Sequence, residues 1–416
     1  MRAKTVKYKN GLKLVLKNNK NNFIASVVIF VKVGSVNEQF FQSGLSHFLE
    51  HLMFKGSKNY PGDLACKNIE NMGGYINAVT TKEYTMYYVN IQKNGMKKCI
   101  KILADIIQNP LFSKYEIDKE RKVVIEEIRR YFDNPVAVLY EKFYESIYVK
   151  STLKNSVIGK LQIIENISYK EIYNYYKMHY VPSNIVLSIS GDFNELKIKK
   201  VVDETFGKFP KRFLPTKPLF VEDVHNRKDV IDYGKVGIGY MLSGFLGPSL
   251  DEEDIYIANL AVDILGGGKS SRLYRSLYEE KHLVFSIVSF FVHKKEAGNI
   301  CIMSVFNPKN MMNIKNEIKN QIQNIIDIGV TKKELDRAKL SIKTNLNFSF
   351  ETSIDVAENI GYWHLMNNSN FMTKYIRKLN KITTTDIKDF FEKYYLSKTI
   401  SNVALLPKTF ASYVRK

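Results

Sequence analysis

The chain has 416 residues, of which 45% are apolar and 25% are charged, and it carries a formal net charge of +20. This composition is typical of a folded globular protein, so it excludes a wholly disordered chain. Three cysteines are too few for a disulfide-stapled fold, and no apolar run reaches the ~20 residues that span a bilayer.

The length predicts two or three domains, and the first residues predict a cytoplasmic protein. They contain neither an apolar signal core nor an Arg/Ser-rich presequence. The basic residues form no block of five or more, so we interpret the surplus charge as compositional bias. We therefore expect no nucleic-acid partner and no membrane partner. The alternative, a polyanion-binding surface, would require a clustered basic patch.

The predicted elements of the first half are strands followed by helices. Asn10-Gly11 lies between two apolar runs and predicts a hairpin. The apolar run over residues 25–33 predicts a strand, and helices are predicted over residues 43–54 and 99–107. Strands followed by pairs of helices favour an α+β fold in which helices cover one face of a sheet.

An internal repeat relates the two halves of the chain. Residues 167–172 resemble residues 382–387 at an offset of 215, and matching aromatic residues and a strand pattern follow both segments. Each segment begins with a helix-capping residue followed three positions later by an acid. We therefore predict two homologous α/β-layer domains, over residues 1–206 and 229–416, joined by a proline-bearing linker over residues 207–228.

The stretch His47-Phe48-Leu49-Glu50-His51 carries the clearest chemical signal. One helical turn separates His47 from His51, so both imidazoles can reach one ion. The apolar residues of this helix form a core-facing stripe, and burying three polar side chains without a partner would be costly. Two neutral imidazoles and a carboxylate suit Zn²⁺ and leave one position for a water molecule, whose proton Glu50 is placed to accept. The alternative is a pair of surface histidines.

The third ligand is predicted on a helix that begins with the capping pair Ser113 and Glu116. Glu120 and Glu127 share one face of this helix, whereas Glu126 falls on the face that carries basic residues. We therefore predict that Glu127 binds the metal and that Glu120 orients the site. For Glu120 the alternative of an ordinary surface carboxylate stays open.

The order His-x-x-Glu-His, with Glu127 following His51 by 76 residues, resembles the inverzincin pattern of the insulinase/pitrilysin peptidases. The segments 74–78, 180–184 and 266–273 also fit that family, so the resemblance spans nearly the whole chain. It is strongest to the short members similar to the mitochondrial processing peptidase β-subunit and its bacterial relatives. The resemblance implies two homologous α+β domains, zinc in the first, and cleavage of extended peptides inside a chamber.

The resemblance also implies roles for individual residues. The expected metal ligands are His47, His51 and Glu127, the expected catalytic residues are Glu50 as general base and Glu120 as supporting acid, and the expected cofactor is one Zn²⁺ per chain. Asn77 and Ala78 would lie on an edge strand to which a substrate adds by backbone pairing. For Asn77 a simple turn role after two glycines is equally open.

One departure from the family pattern lies in the second half. Active relatives carry an Arg and, seven residues later, a Tyr that steadies the substrate carbonyl, but here Tyr278 and Phe285 occupy these positions. Phe285 lacks the hydroxyl donor, and losing such a donor typically costs about 10²–10³ in rate. Either activity is reduced, another residue substitutes for the pair, or a partner subunit supplies it. The family's two-subunit enzymes favour the last alternative, so we expect a homodimer or a heterodimer with a homologous subunit.

Two further functions fit the sequence less well than a zinc-dependent endopeptidase. Gly268-Lys269-Ser270 resembles the end of a phosphate-binding loop, but Asp263 stands where the first glycine belongs, and a predicted helix precedes the segment. A non-catalytic scaffold subunit of the same fold usually lacks zinc ligands, which are all present here. The sequence therefore predicts peptide substrates for a zinc endopeptidase.

Overall fold

The computed structural model describes residues 3–212, 229–396 and 400–414. Its strands form one sheet in each half of the chain and one short hairpin between the two shortest strands. The strands are β1 (Lys4–Lys7), β2 (Lys13–Asn18), β3 (Ile24–Val31), β4 (Gly56–Ser57), β5 (Tyr60–Pro61), β6 (Tyr75–Thr80), β7 (Thr85–Gln92), β8 (Ile185–Gly191), β9 (Asp229–Gly234), β10 (Gly239–Gly247), β11 (Val284–Val292), β12 (Gly298–Phe306) and β13 (Ser401–Pro407).

Helices make up most of the remaining described residues. The α-helices are α1 (Leu45–Met53), α2 (Leu64–Glu70), α3 (Met96–Gln108), α4 (Lys114–Asp133), α5 (Pro135–Ile147), α6 (Leu161–Asn166), α7 (Tyr169–His179), α8 (Glu195–Glu204), α9 (Ile255–Gly266), α10 (Met311–Ile328), α11 (Lys332–Phe348), α12 (Ser353–Leu365), α13 (Phe371–Lys381), α14 (Thr384–Phe391) and α15 (Lys408–Val414). Within the described ranges, no helix combines the length and the apolar character needed to cross a bilayer.

The two sheets repeat one topology. The first has the order β1-β2-β8-β3-β7-β6, and the second has the order β9-β13-β10-β12-β11. In each sheet one pair is parallel, β2 with β8 and β9 with β13, and the other neighbours are antiparallel. The offset of 215 residues carries β3 and β7 onto β10 and β12. The predicted pair of homologous α+β domains and the predicted hairpin of β1 with β2 are confirmed.

Each compact unit contains one segment from the other half of the chain. The first unit comprises the described residues of Met1–Arg129, Asn155–Pro218 and Leu346–Phe371, and the second those of Arg130–Lys154, Leu219–Asn345 and Met372–Lys416. The compact units therefore differ from the contiguous segments 1–206 and 229–416. Most of the predicted linker, residues 213–228, lies outside the described residues.

The helix α12 packs against β3 and β8 of the first sheet. Its backbone carbonyl at Ala357 accepts a hydrogen bond of 2.7 Å from the Ser188 hydroxyl. A Cβ atom on Gly361 would lie only 2.4 Å from the Phe30 ring, so glycine permits this close approach. Every residue of β8 is buried, because helices cover both faces of the central strands. The expectation that helices cover one face only is therefore wrong.

Candidate metal centre

The predicted helix around His47 is α1, and its first turn is held by a distant carboxylate. Gly44 precedes the helix with φ = 91°, and a Cβ atom there would lie 2.7 Å from Gly159. The Glu38 carboxylate accepts backbone hydrogen bonds from Gly44 (2.8 Å) and Ser46 (2.7 Å). Glu38 thus satisfies amides that a conventional N-cap side chain would bind, and it orients the helix that carries the two histidines.

The buried Glu38 carboxylate is expected to make the stability of the folded chain depend on pH. Burial raises its pKa from 4.5 to about 7, although Gly44, Ser46 and Lys82 oppose the shift. The folded state therefore binds this proton more tightly than the unfolded state does. The resulting contribution to the free energy of unfolding is fully present below pH ~4.5 and is lost by pH ~7, a change of about 3 kcal/mol. We expect the urea midpoint of the wild type to fall relative to that of Glu38→Gln between pH 5 and pH 8. Parallel midpoint profiles would contradict this role of Glu38.

The helix that carries Glu120 and Glu127, α4, is anchored beside α1. Arg121 donates hydrogen bonds to two backbone carbonyls at the end of α6, and its guanidinium lies 5.5 Å from the Phe48 ring centroid. Val124 is fully buried on the face that also carries Glu120 and Glu127. These contacts fix the rotation of α4, so that both acids face the histidines of α1.

His47, His51 and Glu127 come together as predicted. Their ligand atoms all lie within 4.8 Å of one another, and they are the one group of this kind among the residues that the structure describes. The His51 Nε2 atom is 3.3 Å from Glu127 Oε2, and His47 Nε2 is 3.9 Å from the same oxygen. Glu126, the neighbouring acid, instead pairs with Arg129 on an exposed face, as the helix spacing predicts.

The chemistry of this group fits a zinc ion. Burial lowers the pKa of His47 to about 4, so the imidazole is neutral near pH 7 and has a lone pair to donate. Two ligands of one tetrahedral zinc ion, each about 2.0–2.1 Å away, are themselves about 3.3 Å apart. The separation of His51 Nε2 from Glu127 Oε2 is 3.3 Å, and that of His47 Nε2 from the same oxygen is 3.9 Å. His47, His51 and Glu127 are therefore suited to hold the ion, and their role as ligands stays a prediction.

Glu120 contacts the ring nitrogen of His51 that is turned away from Glu127. The Nδ1–H group of His51 donates a 2.8 Å hydrogen bond to Glu120 Oε1, which leaves Nε2 facing Glu127. Glu120 Oε2 pairs at 2.8 Å with Lys55 Nζ. Burial raises the pKa of Glu120, but the bonds from His51 and Lys55 outweigh it and hold the pKa below its usual value. Sequence reasoning missed Lys55, because its contact with Glu120 joins two segments that are 65 positions apart.

Lys55 neutralises a carboxylate whose side chain is only 4% exposed. We expect Lys55→Met to weaken zinc binding by about 10–100-fold, because groups behind a metal-binding histidine typically contribute that much. Competition with a chromogenic zinc chelator measures the affinity. Lys58→Met is the matched control, since Lys58 is an exposed lysine three residues along the chain. Equal affinities for Lys55→Met and the wild type would contradict the prediction.

Glu50 points toward the end of strand β6. The Thr80 hydroxyl donates a hydrogen bond to Glu50 Oε2. Burial raises the pKa of Glu50, against the opposing effects of Thr80 and His51. A buried carboxylate of raised pKa beside a metal-ligand group is suited to accept and return a proton. Sequence reasoning missed Thr80, because a contact across 30 positions leaves no local pattern.

Asn77 and Ala78 lie on β6, which forms one edge of the first sheet. The Ala78 N–H group donates to the side-chain oxygen of Asn77 at 2.8 Å, and Asn77 Nδ2 donates to the Tyr75 hydroxyl at 2.8 Å. The Ala78 amide is thus directed away from β7 and carries a displaceable side-chain partner. The predicted edge-strand location of both residues is confirmed, and their role in substrate binding stays a prediction.

Tyr278 and Phe285 lie in the second unit. Tyr278 belongs to a π-helix, Tyr274–Glu280, and its ring stacks on Tyr274 with 4.7 Å between centroids. Phe285 lies on the edge strand β11 with its side chain exposed. The nearby Gly268-Lys269-Ser270 segment follows α9 directly, so it lacks the preceding strand of a phosphate-binding loop.

Comparison with known proteins gives a consistent result across the chain. Residues 13–160 match the sequence profile described as "Insulinase (Peptidase family M16)", and residues 166–342 match the "Peptidase M16 inactive domain". An uncharacterized zinc protease of Rickettsia felis is 30% identical over 360 residues, which cover 85% of each chain. The mitochondrial-processing peptidase subunit beta of Saccharomyces cerevisiae is 26% identical, over 97% of this chain and 91% of that protein.

A solved structure extends the similarity to three dimensions. The crystal structure of a protease from Helicobacter pylori superposes with a TM-score of 0.92 at 26% sequence identity. The superposition covers 98% of this chain and 99% of that chain. The similarity therefore includes both halves and extends well beyond the histidine motif.

Proposed function

Because this chain belongs to the insulinase (M16) family of peptidases, we propose that it is a zinc-dependent endopeptidase that cleaves extended, unfolded peptides. The single observation that carries the proposal is the convergence of His47, His51 and Glu127, with Glu50 buried beside them. This arrangement combines a metal-ligand set with a carboxylate that is not part of it, which is what metal-assisted peptide hydrolysis requires.

The roles of the side chains follow from their contacts. A zinc ion held by His47, His51 and Glu127 would lower the pKa of a water molecule and polarise the substrate carbonyl. Glu50 accepts the proton of the attacking water and then donates a proton to the departing amide nitrogen. Glu120 fixes the His51 ring through Nδ1, and Lys55 keeps Glu120 charged for that purpose.

The edge strand β6 supports an extended peptide as substrate. Its open side presents backbone groups that can pair with a peptide of any sequence, and side-chain pockets then set the preference. A peptide that pairs there displaces the Asn77 oxygen from the Ala78 amide. A folded protein lacks a free strand for this pairing, so unfolded segments and short peptides are the favoured substrates.

A second candidate function rests on the second unit. Phe285 has no hydroxyl to donate to a substrate carbonyl, and Tyr278 has no positive charge. This departure favours a catalytic subunit that is inactive alone and requires a homologous partner to supply both groups. A relative of this chain is itself named a beta subunit, which fits the same arrangement.

Cleavage of a fluorescence-quenched unstructured peptide by the purified chain tests the proposal. We expect one zinc per chain by elemental analysis and cleavage that a chelator stops and added zinc restores. Bound zinc without cleavage would favour the partner-dependent alternative, and cleavage that appears on adding a co-purifying homologous subunit would establish it. A chain that binds no zinc would overturn both candidates.

A further inference from the structure

Thr80 connects the edge strand β6 to Glu50. Thr80 is the last residue of β6, and its hydroxyl donates to Glu50 Oε2, whereas Glu50 belongs to α1. Glu50 is 9% exposed, so water reaches little of this carboxylate, and the Thr80 hydroxyl is a protein donor to it.

The backbone of Thr80 faces the open side of β6. Residues two apart in a strand direct their peptide groups to the same side, and the Ala78 amide is directed away from β7. The Thr80 amide therefore also lies on the open side, close to the Glu50 carboxylate. The carboxylate thus stands at the end of the row of backbone groups that an added peptide strand would pair with.

We propose that Thr80 is a positioning residue that holds Glu50 in line with a peptide bound along β6. Its hydroxyl fixes Oε2 and leaves Oε1 to accept the proton of the attacking water. Thr80 is also the last residue of the open edge strand β6. The distance between a peptide paired with β6 and Glu50 is therefore set by this one strand. This inference rests on the proposed peptidase function and adds to it the group that aligns the base.

A purely structural role for Thr80 predicts different behaviour. If the hydroxyl only donated a hydrogen bond to a buried carboxylate, its removal would lower the stability of the fold. It would not lower kcat while leaving KM unchanged. If it aligns the base, its removal leaves peptide binding intact and slows the chemical step, because a small misplacement of a catalytic group costs about 10²-fold. Valine is the suitable probe, since it keeps the β-branched shape that a strand favours.

The kinetic experiment compares Thr80→Val, Thr80→Ser and the wild type with the quenched peptide. We expect Thr80→Val to lower kcat by roughly 10–100-fold with KM within about twofold and with one zinc still bound. Thr80→Ser, which keeps a hydroxyl, restores kcat to within about fivefold of the wild type. Thr385→Val is the matched control, because it makes the same change at an exposed threonine of α14. An unchanged kcat in Thr80→Val would overturn the proposal.

A second measurement does not depend on activity. Thr80→Val is made in the wild type and in Glu50→Ala, and the urea midpoint of unfolding is measured for all four chains. We expect the Thr80→Val shift to shrink by at least half in the Glu50→Ala background, because the hydrogen bond is already absent there. Equal shifts would overturn the proposed contact. Coupled shifts in a wild type that cleaves no peptide, either alone or with a homologous partner, would reject the peptidase function, and with it the positioning role, while leaving the hydrogen bond established.

Discussion

Glu50→Gln is expected to lower kcat for peptide cleavage by about 10²–10⁴-fold while the chain keeps one zinc ion. The amide has nearly the shape of the carboxylate but cannot accept a proton from water. Glu50 lies outside the group formed by His47, His51 and Glu127, so its replacement leaves the metal ligands in place. Steady-state cleavage of the quenched peptide and elemental analysis of the same sample measure both quantities.

The control for this substitution is Glu70→Gln, which alters an exposed acid at the end of α2. It should leave both kcat and zinc content unchanged. A Glu50→Gln chain that cleaves the peptide at the wild-type rate would reject Glu50 as the base. Loss of zinc from Glu50→Gln would instead assign Glu50 to the metal.

Glu127→Gln is expected to weaken zinc binding by more than 100-fold and to abolish cleavage at stoichiometric zinc. The neutral amide oxygen is a poorer ligand than a carboxylate, and even groups behind the ligands contribute 10–100-fold to affinity. Dialysis against a competing chelator followed by elemental analysis measures the retained metal. The matched control is Glu126→Gln, the adjacent acid on the same helix, which pairs with Arg129 on an exposed face.

Retention of zinc by Glu127→Gln, or its loss from Glu126→Gln, would show that the wrong face of α4 had been assigned. The two substitutions change the same residue type one position apart. They therefore separate the effect of the metal ligand from any general effect of removing a negative charge from this helix.

Helical spacing was sufficient to predict which candidate side chains share one face of a helix. His47 and His51 are one turn apart, so any regular helix places them together, and the face of α4 that carries apolar Val124 also selects Glu127 over Glu126. The repeat at an offset of 215 residues likewise predicted two sheets of one topology. The shared helix face depends on residues a few positions apart, and the repeat is visible when one half of the sequence is compared with the other.

Contacts between distant segments could not be predicted in this way. Residues 130–154 belong to the second compact unit and residues 346–371 to the first, although each segment lies in the other half of the chain. An amphipathic pattern shows that a helix has a buried face, but it does not specify the sheet against which that face packs. Thr80 and Lys55 hold Glu50 and Glu120 across separations of 30 and 65 positions. No periodicity within one element indicates such pairs.

Reconstitution of the zinc-free chain measures whether cleavage requires one bound zinc ion and the Glu50 carboxylate. Zinc is removed with a chelator, and increasing zinc is added while cleavage of the quenched peptide and bound metal are followed together. We expect activity to rise linearly and to saturate at one zinc per chain, and the Glu50→Gln chain to bind the same equivalent of zinc without cleaving the peptide. Activity that is unaffected by zinc removal, or that is equal in the Glu50→Gln chain, would contradict this expectation.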